Sequence, residues 1–159
     1  ILNYDLDSRL FYKGDGISMF DRKIKNKNQS QHHMEILLVD DNELILVRLL
    51  RSIQKHYEDC VIYKAVDCKE ATQIFSANNP DLVVLAISLP DGSGIDLLSS
   101  MKKEKQQVSI LMFTNYGTDE FKKSCLELGA DGFFEKSNIH GLMENIGLQH
   151  KILIKNLTE

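Results

Sequence analysis

The chain has no long basic run, no long apolar run and few cysteines, and each shortage removes a class of function. Lys and Arg never exceed two in a row, and 19 of them stand against 23 Asp and Glu for a net charge of -4. The concentrated positive footprint that a phosphate backbone demands is missing, so nucleic acid is not an expected partner. The longest apolar run, Leu82 to Ile87, is six residues, against roughly 20 for a bilayer span. With no signal-peptide pattern at the start, a soluble, cytoplasmic protein with no membrane contact is expected. The three cysteines, Cys60, Cys68 and Cys125, are odd in number, form no CxxC and meet no histidine at metal-ligand spacing. Buried thiols in a reducing compartment are expected rather than a disulfide framework or a zinc site.

At 159 residues with 43% hydrophobic content, the chain is sized for one ordinary core. Its charge is uneven. Residues 1–33 hold six Lys and Arg against four Asp, while the remainder from Met34 holds 13 against 19. The join, RKIKNKNQSQHH at 22–33, is polar and aperiodic and reads as a linker. Upstream of it, scattered aromatics around a KGDG turn signal fit either a short hairpin or loose packing on a neighbour. Residues 1–33 are therefore taken as an extension of unassigned role, and 34–159 as the main domain, ending in a helix.

From Met34 the pattern alternates between short apolar runs and amphipathic stretches. EILLVD (35–40), CVIYKAV (60–66), DLVVLAI (81–87), VSILMFT (108–114) and GFFEK (132–136) read as strands. Helical periodicity fills 43–56, 69–78, 94–104 and 118–128, with a last helix after Asn138. Strands apolar on both faces, alternating with helices, predict an α/β fold: a five-stranded, doubly wound parallel sheet with helices on both faces. Ligands in such sheets bind at the carboxyl ends of the strands, beside the switch point of the strand order.

Those ends are Asp40 and Asp41 after the first strand, Ala86 at the third, Thr114 at the fourth and Lys136 at the fifth. Singly each has an ordinary explanation. Asp-Asp-Asn ahead of a helix is more often a cap, and Asn42 is expected to cap the first helix. A strand-ending Thr, or a Lys after two aromatics, means little alone. Gathered on one edge, two carboxylates, a hydroxyl and an ammonium suit Mg²⁺ and a phosphoryl group, the acids taking the metal and the other two the phosphoryl oxygens.

ILLVDDNE, DLVVLAISLPDGSGIDLL, ILMFTNYG and GADGFFEKS, in this order and spacing over residues 34 to about 150, together resemble the receiver domain of two-component response regulators. The resemblance implies a flavodoxin-like fold and a Mg²⁺-dependent phosphorelay switch, in which the phosphohistidine of a histidine kinase or phosphotransfer protein donates to an aspartate ending the third strand. It implies that Asp41 binds Mg²⁺ directly, that Asp40 does so largely through water, and that the Ser88 carbonyl completes the protein ligands. Thr114 and Lys136 would hold the phosphoryl oxygens, and Phe133 occupies the aromatic switch position.

The departure is Ala86, which stands four residues before Pro90 at the family's phosphoacceptor position. A methyl group cannot attack a phosphohistidine, and the remaining Mg²⁺ site is weakened by one carboxylate. Asp91 lies in the following loop, Ser88 is expected to offer its carbonyl, and Asp81 begins the strand at the opposite end, so none replaces the acid. Two origins compete: a natural pseudo-receiver that works without phosphorylation, or an otherwise active receiver carrying an Asp-to-Ala substitution. The intact Asp40, Asp41, Thr114 and Lys136 favour the second.

Ser137 follows the lysine where many receivers have proline after a cis bond; without proline a cis bond costs about 3 kcal/mol, so a trans bond is expected. Ser137 or Asn138 would then cap the last helix, whose buried stripe is Ile139, Leu142, Ile146 and Leu153 despite Gly141 and Gly147. With no length to spare for an output module, the expected product is a non-enzymatic, single-domain receiver. It would act by protein contact, its fourth-helix to fifth-helix face meeting a kinase, a phosphotransfer protein or a second copy. The competing classes are a Mg²⁺-dependent phosphohydrolase-like α/β domain, which equally lacks its nucleophile, and a structural interaction module with an accidental acidic pocket.

Overall fold

The computed structural model describes residues 10–13, 16–17, 33–57, 60–115 and 117–158. Two short strands come first, β1 (Leu10–Lys13) and β2 (Gly16–Ile17). The main domain follows as β3 (Met34–Val39), α1 (Glu43–His56), β4 (Cys60–Ala65), α2 (Cys68–Asn78) and β5 (Leu82–Leu85). A two-stranded hairpin, β6 (Ser88–Leu89) and β7 (Gly92–Ser93), leads into α3 (Gly94–Glu104), β8 (Ser109–Thr114), α4 (Asp119–Glu127), β9 (Gly132–Glu135) and α5 (Ile139–Thr158). The five predicted strands and five predicted helices are all present. No helix among the described residues is long and apolar enough to cross a membrane.

The parallel sheet runs β4-β3-β5-β8-β9. It is wider than the five strands expected: β1 pairs antiparallel with β4, Leu10 opposite Ile62 and Phe11 opposite Val61, and β2 pairs with β1 in turn. Of the two readings open for the first segment, the hairpin holds, joined to the main sheet. The linker read at 22–33 lies outside the described residues except His33.

Side chains alternate across each strand, and the core divides accordingly. Ile36, Leu38, Leu82 and Val84 face α1 and α5, where Leu46, Leu49, Ile53, Leu142 and Ile146 complete one buried cluster. Leu37, Val39, Val83 and Leu85 face α2, α3 and α4, meeting Phe75, Leu98, Met101 and Cys125. Caps end the helices where the sequence offers them. The Asn42 side chain accepts from the Leu44 N–H, and the Asn138 side chain accepts from the Gly141 N–H at 3.0 Å. Both capping expectations hold, with Asn138 rather than Ser137 at α5. No peptide bond among the described residues is cis, as expected for Lys136 to Ser137.

In α5, Gly147 admits the Tyr57 hydroxyl, which a Cβ would strike, and the Tyr57 ring tilts against His150 at 5.2 Å. Leu142 and Ile146 are fully buried, with Ile139 and Leu153 partly buried beside them. Cys60 and Cys125 are buried, as expected, but Cys68 is only half-buried. It opens α2 under the β6–β7 hairpin, where a Cβ on Gly92 would stand 3.2 Å from its sulfur.

Candidate functional site

Because β3 pairs with both β4 and β5, the strand order reverses around it, and the crevice at the carboxyl ends opens beside Asp40. Sheet register places the predicted residues. Val39 is level with Ala65 and Leu85, so the chain leaves β3 as Asp40 and β5 as Ala86 side by side. Backbone bonds hold both: Asp40 N–H donates to the Ala65 carbonyl at 3.1 Å, and Ala86 N–H to the Val39 carbonyl at 3.0 Å. Thr114 ends β8, and its carbonyl accepts from the Lys136 N–H at 2.8 Å.

Asp40 is 2% exposed, a charged side chain at the edge of the core. Its Oδ1 accepts from the Asn42 N–H at 2.9 Å, and its Oδ2 is in ion-pair contact with Lys136 Nζ. That contact lacks hydrogen-bonding geometry, so Oδ2 is a buried oxygen without a directed donor. A buried carboxylate is tolerated only when its charge is met, and here the lysine meets it. Asp41, next along, is exposed. Thr114 is 4% exposed and Ala86 3%. Asp40 and Lys136 are thus in contact, with Ala86 and Thr114 on the adjacent strand ends and Asp41 at the rim.

Ser88 sits two residues past Ala86 in β6, side chain exposed, opposite Ser93 in the hairpin. Phe133 is half-buried in β9 and leans on the α2–α3–α4 core. The loop before α4 rests on it, since a Cβ on Gly117 would stand 3.2 Å from its ring. Gly117, Asp119, Lys122, Phe133, Phe134, Glu135 and Asn138 line an adjoining cleft of about 250 Å³. Among the described residues no three His, Cys, Asp or Glu side chains form a metal cluster.

Two features of the site escaped the sequence reading. Gly94 packs directly on the strand end: its N–H donates to the Ile87 carbonyl at 2.6 Å, and a Cβ there would collide with the Ala86 carbonyl oxygen. The GSG run was the available signal. Asp91, placed only in a loop by sequence, turns to α2 and accepts from the Cys68 and Lys69 N–H groups at 2.7 and 3.0 Å. The Cys68 N–H holds the Asp91 carboxyl below its ordinary range, desolvation opposing it and the Lys69 N–H adding to it. Burial first, then the hydrogen bond and charge of Asp91, push the Cys68 thiol up to about 11. At the far end of the strand Asp81 accepts from the Glu35 N–H at 2.9 Å, away from the crevice as predicted.

The family model of the response regulator receiver domain matches residues 36–146. The chemotaxis protein CheY of Halobacterium salinarum is 31% identical over 102 residues, 64% of this chain and 83% of its own. The alkaline phosphatase synthesis transcriptional regulatory protein PhoP of Bacillus subtilis is 34% identical over 102 residues, but the match covers only 42% of its length. The chain therefore spans less than half of that regulator. Among solved structures, the signal receiver domain of a Luxo repressor protein from Vibrio parahaemolyticus superposes with a TM-score of 0.72 at 23% identity, covering 80% of this chain and 98% of its own. CheY in the CheX-CheY-BeF3-Mg complex of Borrelia burgdorferi gives 0.61 at 26% identity, covering 64% and 77%.

Proposed function

Because the chain belongs to the response regulator receiver domain family of two-component signalling, we propose that it is a receiver whose phosphoacceptor position is held by Ala86. It would take no phosphoryl group and act through protein contacts. The observation that supports this is the position of Ala86: it leaves β5 beside Asp40, on the edge of the sheet where a receiver's acceptor carboxylate is expected. Phosphoryl transfer within a receiver requires that oxygen to attack phosphorus as the histidine nitrogen leaves, and carbon offers no electron pair.

The remaining donors fit Mg²⁺. Asp40 and Asp41 would supply hard oxygens and the Ser88 carbonyl would be the third protein ligand; the buried Asp40 Oδ2 has no directed donor of its own. Mg²⁺ is commonly held by one or two carboxylates with water completing the octahedron. With an acceptor restored, as in Ala86→Asp, bound Mg²⁺ would neutralise charge on the phosphoryl group, Thr114 and Lys136 would orient it from the neighbouring strand ends, and Phe133 would register its arrival. The partners proposed are a histidine kinase or phosphotransfer protein, or a second copy through the α4–α5 face; the CheY of the CheX-CheY complex is likewise bound to another protein. Among its described residues α4 exposes Phe121 and Leu126 and buries Cys125. No enzymatic activity, nucleic-acid binding or residence outside the cytoplasm is proposed.

The test is phosphoryl transfer from a phosphorylated kinase, or from a small-molecule phosphodonor with Mg²⁺. The present chain is expected to form no base-labile phosphoryl adduct, and Ala86→Asp to form one. An adduct on the unaltered chain would overturn the reading.

A further inference from the structure

We infer that Asp91 is a positioning residue: by fastening the β6–β7 hairpin to the start of α2, it holds the Ser88 carbonyl in place for a cation in the crevice. An acid outside the crevice thereby sets part of the affinity for Mg²⁺. The identity of the cation rests on the receiver reading.

The hairpin has little of its own to hold it. Its strands pair Ser88 with Ser93 and Leu89 with Gly92, and the turn between them is Pro90 and Asp91. A two-stranded ribbon of that kind is marginal in water. From the turn the Asp91 carboxylate reaches α2, one oxygen accepting from the Cys68 N–H at 2.7 Å and the other from the Lys69 N–H at 3.0 Å. The helix already has a cap, since Asp67 accepts from the Glu70 N–H at 2.7 Å. A second carboxylate is therefore not needed to begin α2. What Asp91 adds is a two-point tie between the turn and a helix start whose dipole favours an anion. Gly92 lets the surfaces meet closely, with no side chain between the hairpin and the Cys68 sulfur. At the hairpin's other end the Gly94 N–H donates to the Ile87 carbonyl at 2.6 Å. Ser88 thus lies between two anchors, one on the sheet and one on α2. Groups that orient a metal ligand without touching the metal commonly carry roughly 10–100-fold in affinity.

Mg²⁺ is titrated into the full chain and into Asp91→Ala, Asp91→Asn and Ala86→Asp. Two ¹⁵N-resolved amide signals are read: Asn42, whose N–H is bonded to Asp40, and Leu89, whose N–H shares a peptide group with the Ser88 carbonyl. In the unaltered chain both are expected to move together. Asp91 is exposed, so its variants should fold. Asp91→Ala should bind about tenfold more weakly, with the Leu89 shift at saturation reduced more than that of Asn42. Asp91→Asn loses the charge but keeps an acceptor oxygen for α2, and should keep most of the affinity. Undiminished affinity in Asp91→Ala, or a Leu89 shift reduced no more than that of Asn42, overturns the positioning role. So does Asp91→Asn binding as weakly as Asp91→Ala, which would make the effect one of charge. Each of these leaves the receiver reading standing on the separate phosphoryl test of Ala86→Asp. An Asn42 signal indifferent to Mg²⁺ in every chain, Ala86→Asp included, overturns both.

Discussion

The two ends of the parallel sheet are built from similar residues and are held very differently. At the amino end, Asp81 and Glu35 bind each other through the backbone: Glu35 N–H donates to Asp81 Oδ2, Asp81 N–H to the Glu35 carbonyl, and the Tyr63 hydroxyl to Glu35 Oε2. Asp131 likewise accepts from the Ile110 N–H and from Lys102. At the carboxyl end the buried Asp40 keeps one oxygen with only an ion pair, and Ala86 beside it is buried. Directed bonds fix the first set as structure. The second retains a buried, undirected charge, a cost that structure alone does not require and that binding of a cation or an anion can use.

Three perturbations test this contrast, the largest first. Gly94→Ala drives a Cβ into the Ala86 carbonyl and should lose about 3 kcal/mol of stability in urea denaturation. Gly92→Ala meets only the Cys68 sulfur at 3.2 Å and should lose less than about 1 kcal/mol.

Next come matched substitutions at the two ends. Asp81→Ala strands the Glu35 N–H and should cost about 2 kcal/mol whether or not Mg²⁺ is present. Ala86→Asp crowds a third carboxylate beside Asp40 and Asp41 and should cost about 1–2 kcal/mol in EDTA. Millimolar Mg²⁺ should narrow that second gap, because a ligand of the folded state alone stabilises it. Thermal melts of both with and without Mg²⁺ decide it; a Mg²⁺-sensitive Asp81→Ala, or an insensitive Ala86→Asp, would erase the distinction between the ends.

The smallest effect concerns Cys68. Its thiol is raised from the ordinary 9.0 to about 11, so the unfolded chain ionises first as pH climbs. Stability from this group is whole below pH 9 and falls between 9 and about 11. Iodoacetamide at pH 9 should label Cys68 roughly tenfold or more slowly than a free thiol. Asp91→Asn, which removes a hydrogen bond and a negative charge, should speed it severalfold by mass spectrometry.

The fold was largely legible because each strand is a short apolar run and each helix carries a face and a cap: Asn42, Asp67, Ser93 and Thr118 all accept from their helix's first N–H groups. The strand-end residues were legible for the same reason, since the end of an apolar run marks where a side chain meets the crevice. Contacts across the crevice were not. Nothing in the spacing of Lys136 says that it reaches Asp40, and nothing in the loop position of Asp91 says that it binds the first N–H groups of α2. Such pairings depend on side-chain direction across elements far apart in sequence.

The hairpin at the chain's start bears on how the molecule meets others of its kind. A parallel sheet ordinarily ends in open rows of amide groups, a template for stray strands. Here one margin of the sheet is closed by β1 against β4 and finishes in a strand only two residues long, Gly16–Ile17. The other margin, β9, spans four residues and stops at the charged Glu135. Among the described residues both margins are short, which leaves little open edge for strand addition.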